Sequence, residues 1–125
     1  MENIYLEPSD CYPLIIMNVD GKVKFEGRAL IENAHKFFEP LLSWAKNFNS
    51  DNIDIEINLE YFNTSVSKHL LDLLKEFENN PENKNIHLSW HYEEGDDEML
   101  ETGEIFEELL PGIKFNYHQY DEIFE

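Results

Sequence analysis

The sequence predicts a two-layer α/β domain in which a mixed sheet of about five strands carries its helices mainly on one face. Several short stretches alternate apolar and polar residues, which is the period of a strand with one buried face. Other stretches repeat apolar residues at the 3.6-residue period of a helix. A sheet covered on both faces would show continuous apolar runs instead, so the alternation indicates helices on one side only.

A hairpin is the first regular feature. An apolar run over residues 14–19 is followed by Asp-Gly at residues 20–21 and by an alternating stretch at residues 22–26. Asp-Gly between two such runs is a common signal of a short hairpin, so the first two strands are expected to be antiparallel. Gly27 is expected to end the second strand.

A helix is expected next, beginning at Glu32 or Asn33. Its apolar residues lie on one stripe at helical spacing: Ala34, Phe37, Phe38, Leu41, Trp44 and Phe48. Pro40 lies inside this stretch, where a proline removes a backbone donor and clashes with the preceding turn. The sequence therefore predicts either a kinked helix or two shorter helices that abut at this point.

The middle of the chain gives the strongest strand signal and a second helix. The apolar positions of the strand are Ile53, Ile55, Ile57, Leu59 and Tyr61. Those of the helix are Val66, Leu70, Leu73, Leu74 and Phe77. The period changes from two to 3.6 at residues 63–65, which predicts a tight strand-to-helix corner there.

A further strand, helix and strand follow a polar loop at residues 79–85. The alternating apolar residues of the next strand are Ile86, Leu88, Trp90 and Tyr92. A strand, a crossover helix and a strand in succession place the two strands parallel. The last helix and strand are expected at Met99, Gly103, Phe106, Leu109 and Leu110, and at Ile113, Phe115 and Tyr117.

The ends of the chain are expected to be irregular. Residues 1–11 predict a lead-in, and residues 119–125 predict a frayed or loosely docked tail. The whole chain, residues 1–125, is long enough for a single core and is expected to form one domain.

The polar residues of the strands are expected to share an open face of the sheet. This face would present Asp54, Glu56, Asn58, Glu60, His87, Ser89, His91, Lys114, Asn116 and His118. Solvent is the default occupant of such a face, and a partner protein is the alternative.

The corner carries small polar residues and neither glycine nor proline. Asn63, Thr64 and Ser65 are residue types that cap helices, so one of them is expected to accept a hydrogen bond from a first-turn N–H. The alternative is a phosphorylation site, because a phosphate on Ser65 or Thr64 would lie at the positive end of the helix. It would also add a charge of about −1.5 to −2 to the surrounding surface.

Charge and composition limit the classes of partner. The chain has 9 basic and 27 acidic residues, a formal net charge of −18, and no basic patch. Such a surface repels phosphate backbones and anionic lipids, so no nucleic acid or membrane is expected as a partner. A lone Cys11 and the absence of a signal peptide or a long apolar run predict a cytoplasmic protein.

No motif in the sequence indicates an enzyme, so no catalytic residue and no cofactor is predicted. The histidines lack metal-ligand spacing, although His87 and His91 share a strand face. The acidic run at residues 93–98 lacks the spacing of a calcium loop. Acidic residues before a helix usually cap it, so no metal site is expected.

Several fragments together resemble the SiaC family of bacterial regulatory phosphoproteins. They are Tyr-Phe-Asn-Thr-Ser-x-Ser-Lys at residues 61–68, Ser-Trp-His-Tyr-Glu-Glu at residues 89–94, Met-Leu-Glu-x-Gly-Glu at residues 99–104, and the helix that contains Pro40. The resemblance extends over nearly the whole chain. The chain departs from the family pattern at Val66, where a small polar residue is frequent, and at Ile31, where a proline is frequent.

The resemblance implies a STAS-like domain similar to the anti-sigma-factor antagonists, which act by partner switching. A cognate Ser/Thr protein kinase would phosphorylate the corner, and a protein phosphatase would remove the phosphate. The unphosphorylated form would bind and activate an effector such as a diguanylate cyclase, with cyclic di-GMP and biofilm formation as the output. By position, Ser65 would be the acceptor, followed by Thr64 and then Ser67, and the partner contact would also include Asn63, Val66 and Lys68.

Two rival interpretations remain at this point. The chain is alternatively a constitutive acidic binding or scaffold domain, in which the corner is only a helix cap. A small metal-dependent enzyme that uses the acidic run is the third. An exposed hydroxyl at the corner favours the switch, a hydroxyl buried in a cap favours the scaffold, and clustered carboxylates favour the enzyme.

Overall fold

The structure, a computed structural model, describes residues 1–121 of the chain. The strands are β1 (Ile4–Leu6), β2 (Leu14–Met17), β3 (Lys22–Ala29), β4 (Asn52–Phe62), β5 (Asn85–Glu93) and β6 (Lys114–Tyr120). The helices are α1 (Ala34–Asn47), α2 (Thr64–Asn79) and α3 (Asp97–Leu109). No helix of this described part is long and apolar enough to cross a membrane.

The strands form one mixed sheet in chain order, from β1 to β6. β1, β2 and β3 are antiparallel neighbours, whereas β3, β4, β5 and β6 run parallel to one another. Each connection between two neighbouring parallel strands contains one helix and leads to the next strand in the order of the sheet. Because such crossovers are right-handed, all three helices lie on the same face. The predicted two-layer α/β architecture is confirmed.

The core lies between this helical layer and the sheet. The predicted apolar positions of β4 up to Leu59 and those of α2 are all buried, and Trp90 of β5 is fully buried. Tyr61 is the exception in β4, with an exposed fraction of 52%. On the other face of the sheet none of the predicted open-face residues is buried, so that prediction is confirmed.

The lead-in predicted for residues 1–11 is wrong in part, because it contains the edge strand β1. Ile4 pairs with Met17, and Leu6 pairs with Ile15. The indole Nε1 of Trp44 also donates a hydrogen bond to the carbonyl of Glu2, at 2.7 Å. Three residues are too few to show a period, so pairing with β2 decides this strand rather than a local pattern.

Gly27 does not end β3 as predicted. The strand continues to Ala29, and its pairing register with β4 shifts between Gly27 and Arg28. Gly27 has a φ of +114°, a conformation that glycine adopts readily and other residues rarely do. The register shift leaves Glu60 of β4 without a partner on β3, so the extra residue of this β-bulge belongs to β4 and lies opposite Gly27 and Arg28.

Pro40 lies within one helix, so of the two predicted alternatives, a kinked helix or two abutting helices, the second is wrong. α1 begins after Asn33, whose side chain accepts a hydrogen bond from the backbone N–H of Lys36, and it runs without interruption to Asn47. The proline removes the donor that the carbonyl of Lys36 would use. Both residues are exposed, so water can satisfy that carbonyl.

The predicted tail also begins too early. Gln119 and Tyr120 belong to β6, and the backbone N–H of Glu94 donates to the carbonyl of Tyr120 at 2.8 Å. The remainder of the predicted tail, residues 122–125, lies outside the described residues. Leu109, one of the apolar positions from which α3 was predicted, has an exposed fraction of 46%.

Candidate functional site

The strand-to-helix corner is formed by a single residue between β4 and α2. Asn63 has extended backbone angles, and its side-chain Oδ1 accepts a hydrogen bond from the backbone N–H of Val66 at 2.9 Å. Its carbonyl accepts the first helical bond, from the N–H of Ser67, also at 2.9 Å. Of the three predicted capping candidates, Asn63 is therefore the cap. The hydroxyls of Thr64 and Ser65 are not used for capping.

The predicted acceptor hydroxyls occupy the first turn of α2. Thr64 and Ser65 are exposed, and Ser67 is half-buried. The first N–H groups of a helix carry a partial positive charge. This end of α2 thus presents two exposed hydroxyls where a negative charge is electrostatically favoured.

The two exposed hydroxyls lie on different sides of the corner. Thr64 and Ser67 line an open depression of about 220 Å³ whose other lining residues are Phe62, Asn63 and Thr102. Ser65 lies on the side of α1. Its carbonyl is 2.8 Å from Nδ1 of His69, whose ring stacks on that of Phe38 with centroids 5.8 Å apart.

The residues predicted to contact a partner divide into surface and core. Asn63 and Ser67 are half-buried, and Thr64, Ser65 and Lys68 are exposed, so these five have accessible surface at the corner. Val66 is different, because its side chain is only 1% exposed and belongs to the core. Val66 supports the corner from beneath and offers no side-chain surface to a partner.

The acidic run is a helix cap, as its position before α3 indicates. Oδ1 of Asp96 accepts a hydrogen bond from the backbone N–H of Met99 at 3.1 Å, and Asp97 and Glu98 follow in the first turn. Across residues 1–121 no group of three or more histidine, cysteine or carboxylate side chains is arranged to hold a metal ion. The carboxylates of this loop are explained by the cap and the helix dipole.

The open sheet face brings two histidines together, but not the pair that shares a strand. The rings of His91 and His118 stack with centroids 5.0 Å apart, and Nε2 of His91 lies 3.3 Å from Oε1 of Glu56. Nε2 is buried and has no hydrogen-bond partner within residues 1–121, so this close contact is not a hydrogen bond. His87 is exposed and pairs in register with Asp54 and Lys114.

Burial and three nearby carboxylates raise the pKa of a tyrosine at the end of β6. Burial is the main cause of the raised pKa of Tyr120, and the charges of Glu93, Glu60 and Asp96 add to it. These carboxylates lie where parallel strands end, near the start of α3. Three carboxylates therefore lie close to Tyr120 at this end of the sheet.

One contribution to the site was missed from the sequence. Thr102 of α3 completes the depression beside Thr64, and Ile105 and Leu109 continue from it along the same helix with exposed fractions of 55% and 46%. A signal was present, because these residues lie at positions i, i+3 and i+7 of one helical face. It was hidden by the stronger core stripe of Met99, Gly103 and Phe106 on the neighbouring face of α3.

Known proteins match both the sequence and the fold. A crystal structure of SiaC from Pseudomonas aeruginosa bound to the diguanylate cyclase SiaD, whose activator it is, matches with a TM-score of 0.80 and 22% identity, over 94% of this chain and 99% of that chain. Another structure of SiaC from the same organism has a TM-score of 0.75 and 21% identity, over 98% of this chain and 100% of that chain. An uncharacterized protein of Pseudomonas aeruginosa strain UCBPP-PA14 is 27% identical over 92 residues, which cover 70% of this chain and 73% of that protein. The model of the SiaC family of regulatory phosphoproteins matches residues 6–120, and the chain therefore belongs to that family.

Proposed function

We propose that this protein is a phosphorylation switch whose acceptor is Ser65, with Thr64 and then Ser67 as the alternatives. The observation that carries the proposal is the division of roles at the corner. Asn63 supplies the helix cap, and Thr64 and Ser65 remain exposed at the positive end of α2. A kinase can reach hydroxyls in this position without opening the fold.

A phosphate at the corner acts on binding rather than on folding. Residues 63–65, 67 and 68 form an accessible surface around a helix N-terminus that carries no carboxylate in its first turn. A partner that packs against this surface would have to desolvate a dianion, which costs several kcal/mol unless a cation pairs with it. Phosphorylation therefore releases the partner while the helix itself tolerates the charge.

The effect of the unphosphorylated protein on its partner is proposed by analogy with SiaC, whose crystal structure contains the diguanylate cyclase that it activates. In that complex SiaC is the activator of the diguanylate cyclase SiaD. We infer that the unphosphorylated form of this chain binds and activates an effector of the same kind, which would raise cyclic di-GMP and favour biofilm formation. A cognate Ser/Thr kinase and a phosphatase set the phosphorylated fraction.

The chain acts in this scheme as a regulator and not as a catalyst. Its family consists of regulatory phosphoproteins, and its carboxylates near α3 serve as a cap. ATP, the usual phosphate donor, and GTP, the substrate of diguanylate cyclases, are cytoplasmic nucleotides. We therefore place the exchange of partners in the cytoplasm and treat residues 1–125 as a single regulatory domain.

The site of modification is tested by mass spectrometry of the protein from its native cells, with and without phosphatase treatment. We expect a phosphate on Ser65 that phosphatase removes and that Ser65→Ala abolishes. Ser43→Ala is the matched control, because Ser43 is an exposed serine on α1, away from the corner. A corner that is never modified under several growth conditions would support the scaffold interpretation instead.

The consequence of modification is tested with the cyclases of the same organism. Phosphatase-treated protein is expected to stimulate cyclic di-GMP synthesis by one of them, and kinase-treated protein is expected not to. Ser65→Asp should reduce the stimulation in the same direction, although a single carboxylate carries less charge than a phosphate. Equal stimulation by the two forms would refute the switch.

A further inference from the structure

β6 forms one edge of the sheet, and within residues 1–121 no strand pairs with its outer side. On its inner side, the carbonyl of Tyr120 accepts a hydrogen bond from the N–H of Glu94, which follows β5. Backbone groups alternate in direction along a strand, so every second residue of β6 presents its N–H and C=O to the outside. These residues are Phe115, Tyr117 and Gln119. Their outward groups have no hydrogen-bond partner among the described residues.

This edge lacks the features by which proteins prevent an edge strand from pairing with another chain. Those features are proline, bulges, several charged side chains or a very short strand. β6 has seven residues, contains no proline and carries one lysine, Lys114, at its first residue. Its register with β5 has no shift. At the opposite edge β1 has only three residues, so β6 is the edge that is open to strand addition.

Aromatic side chains and carboxylates lie at this edge on the helical face of the sheet. Phe115 and Tyr117 pack partly against the core, and their ring centroids are 6.3 Å apart. The hydroxyl of Tyr117 donates to Oε1 of Glu107 at 2.7 Å. Burial is the main cause of the raised pKa of Tyr117, and Glu107 and then Glu104 add to it, so both carboxylates lie close to this ring. Their spacing of three residues places them on one side of α3.

The two faces of the edge differ in charge. Among the described residues no basic side chain lies within ion-pair distance of Glu104 or Glu107. Lys114 and His118 alternate with the aromatic residues of β6 and therefore lie on the open face of the sheet. A strand added to β6 would thus meet carboxylates on its helical side and basic side chains on its open side.

We propose that β6 accepts an extended, basic segment of a partner protein as an added strand. The backbone of that segment would pair with the outward N–H and C=O groups of β6. Every second side chain would lie on the helical side, where the stem of an arginine or lysine covers the aromatic rings and its charged group reaches Glu104 and Glu107. The side chains between them would face Lys114 and His118, which favours uncharged residues at those positions.

A second copy of this chain is not the complementary occupant. Antiparallel pairing of β6 with β6 of another copy would place both α3 helices on the same face of the joined sheet. Glu104 and Glu107 of each copy would then approach the same carboxylates of the other. Both copies also carry a formal net charge of −18, so their association is opposed by repulsion.

The outer side of β6 is separate from the corner. β5 lies between β6 and β4, which leads into the corner, and neighbouring strands are about 4.8 Å apart. α3 faces the corner with Thr102 and Tyr117 with Glu107, so the helix stands between the two places. This contact would therefore be additional to the one at the corner, and it does not require phosphorylation.

Hydrogen exchange followed by NMR measures strand addition residue by residue. The probe is a synthetic heptapeptide in which arginine and threonine alternate, added to the unphosphorylated full-length protein. We expect slower exchange at the amides of Tyr117 and Gln119, which gain hydrogen bonds. Little change is expected at Asn116 and His118, whose amides already bond to β5. Binding should weaken at higher salt, and a heptapeptide of alternating glutamate and threonine should leave all four amides unchanged.

A matched pair of variants at Gln119 tests the backbone pairing. Gln119→Pro removes one outward N–H and leaves the hydrogen bonds between β5 and β6 in place, since proline is tolerated on the free side of an edge strand. It should weaken binding of the arginine peptide about tenfold, because one hydrogen bond of the added strand is lost. Gln119→Ala keeps the N–H and should change the affinity by less than about twofold. Circular dichroism establishes that both variants are folded.

Two double variants that remove the same charge test the complementarity. Glu104→Gln with Glu107→Gln should weaken binding about fivefold, because two exposed ion pairs are lost. Glutamine at residue 107 keeps an acceptor for the hydroxyl of Tyr117. Glu101→Gln with Glu108→Gln is the control, since these two exposed residues lie seven positions apart on another side of α3. The control should change the affinity by less than about twofold.

Four results would overturn the assignment of β6 as a strand acceptor. They are unchanged exchange at Tyr117 and Gln119 in millimolar arginine peptide, equal binding of the glutamate peptide, equal affinity of the two Gln119 variants, and a dimer in sedimentation experiments that Gln119→Pro dissociates. The fourth would identify a second copy as the occupant. None of these results bears on phosphate at Ser65, which mass spectrometry reports separately.

Discussion

Gly103 allows α3 to lie against the sheet, and replacing it by alanine tests how closely α3 packs against Trp90 of β5. A Cβ atom at this position would come within 2.7 Å of Nε1 of Trp90, and within 2.8 Å of Cδ1 and Cε2 of the same ring. Trp90 is fully buried, and its Nε1 donates to the carbonyl of Met99 at 3.0 Å. The indole ring cannot withdraw without losing packing and this hydrogen bond.

Two opposing effects determine the size of the change. Alanine stabilises a helix interior over glycine by about 1 kcal/mol. Overpacking a core costs about 1 to 3 kcal/mol, and leaving a buried donor unpaired costs about 1 to 3 kcal/mol more. We therefore expect Gly103→Ala to lower the free energy of unfolding by about 2 kcal/mol.

Urea denaturation followed by circular dichroism measures this change. Glu104→Ala, at the next and exposed position of α3, is the control and should change the free energy by less than about 0.5 kcal/mol. In a Trp90→Phe background, which lacks Nε1, the additional cost of Gly103→Ala should be smaller. A Gly103→Ala protein as stable as wild type, or more stable, would refute the tight contact between α3 and β5.

Substitutions at three other positions test local features of the structure. Asn63→Ala should lower the free energy of unfolding by about 1 kcal/mol through loss of the cap, whereas Asn63→Asp, which retains an acceptor oxygen, should have little effect in the same urea assay. Gly21→Ala should cost about 2 kcal/mol or more, because Gly21 has a φ of +100° and an added Cβ would collide with the carbonyl oxygen of Asn52. Burial and then the hydrogen bond to Glu107 raise the pKa of Tyr117, so Glu107→Gln should lower it in an alkaline titration of phenolate absorbance. The stability linked to this phenol is present below about pH 10 and is lost as pH rises through the raised pKa.

The periodic spacing of apolar residues in the sequence was sufficient to predict most of the strands and helices. The alternation in β4 and β5 and the helical spacing in α2 each follow from burial of one face, so they predict both the element and its orientation. Features that depend on a pairing partner were not visible in this way. β1 exists because it pairs with β2, and the register shift that leaves Glu60 unpaired opposite Gly27 and Arg28 arises from the pairing of β3 with β4.

At the corner, too, some features follow from the local sequence and others depend on tertiary contacts. The sequence determined that a strand meets a helix at residues 63–65 and that small polar side chains lie there. Only the tertiary structure decided that Asn63 caps the helix, because capping depends on backbone angles and on the distance to the N–H of Val66. Sequence spacing likewise could not place Thr102 beside Thr64, or leave Ile105 exposed, since both depend on how far α3 lies from α2.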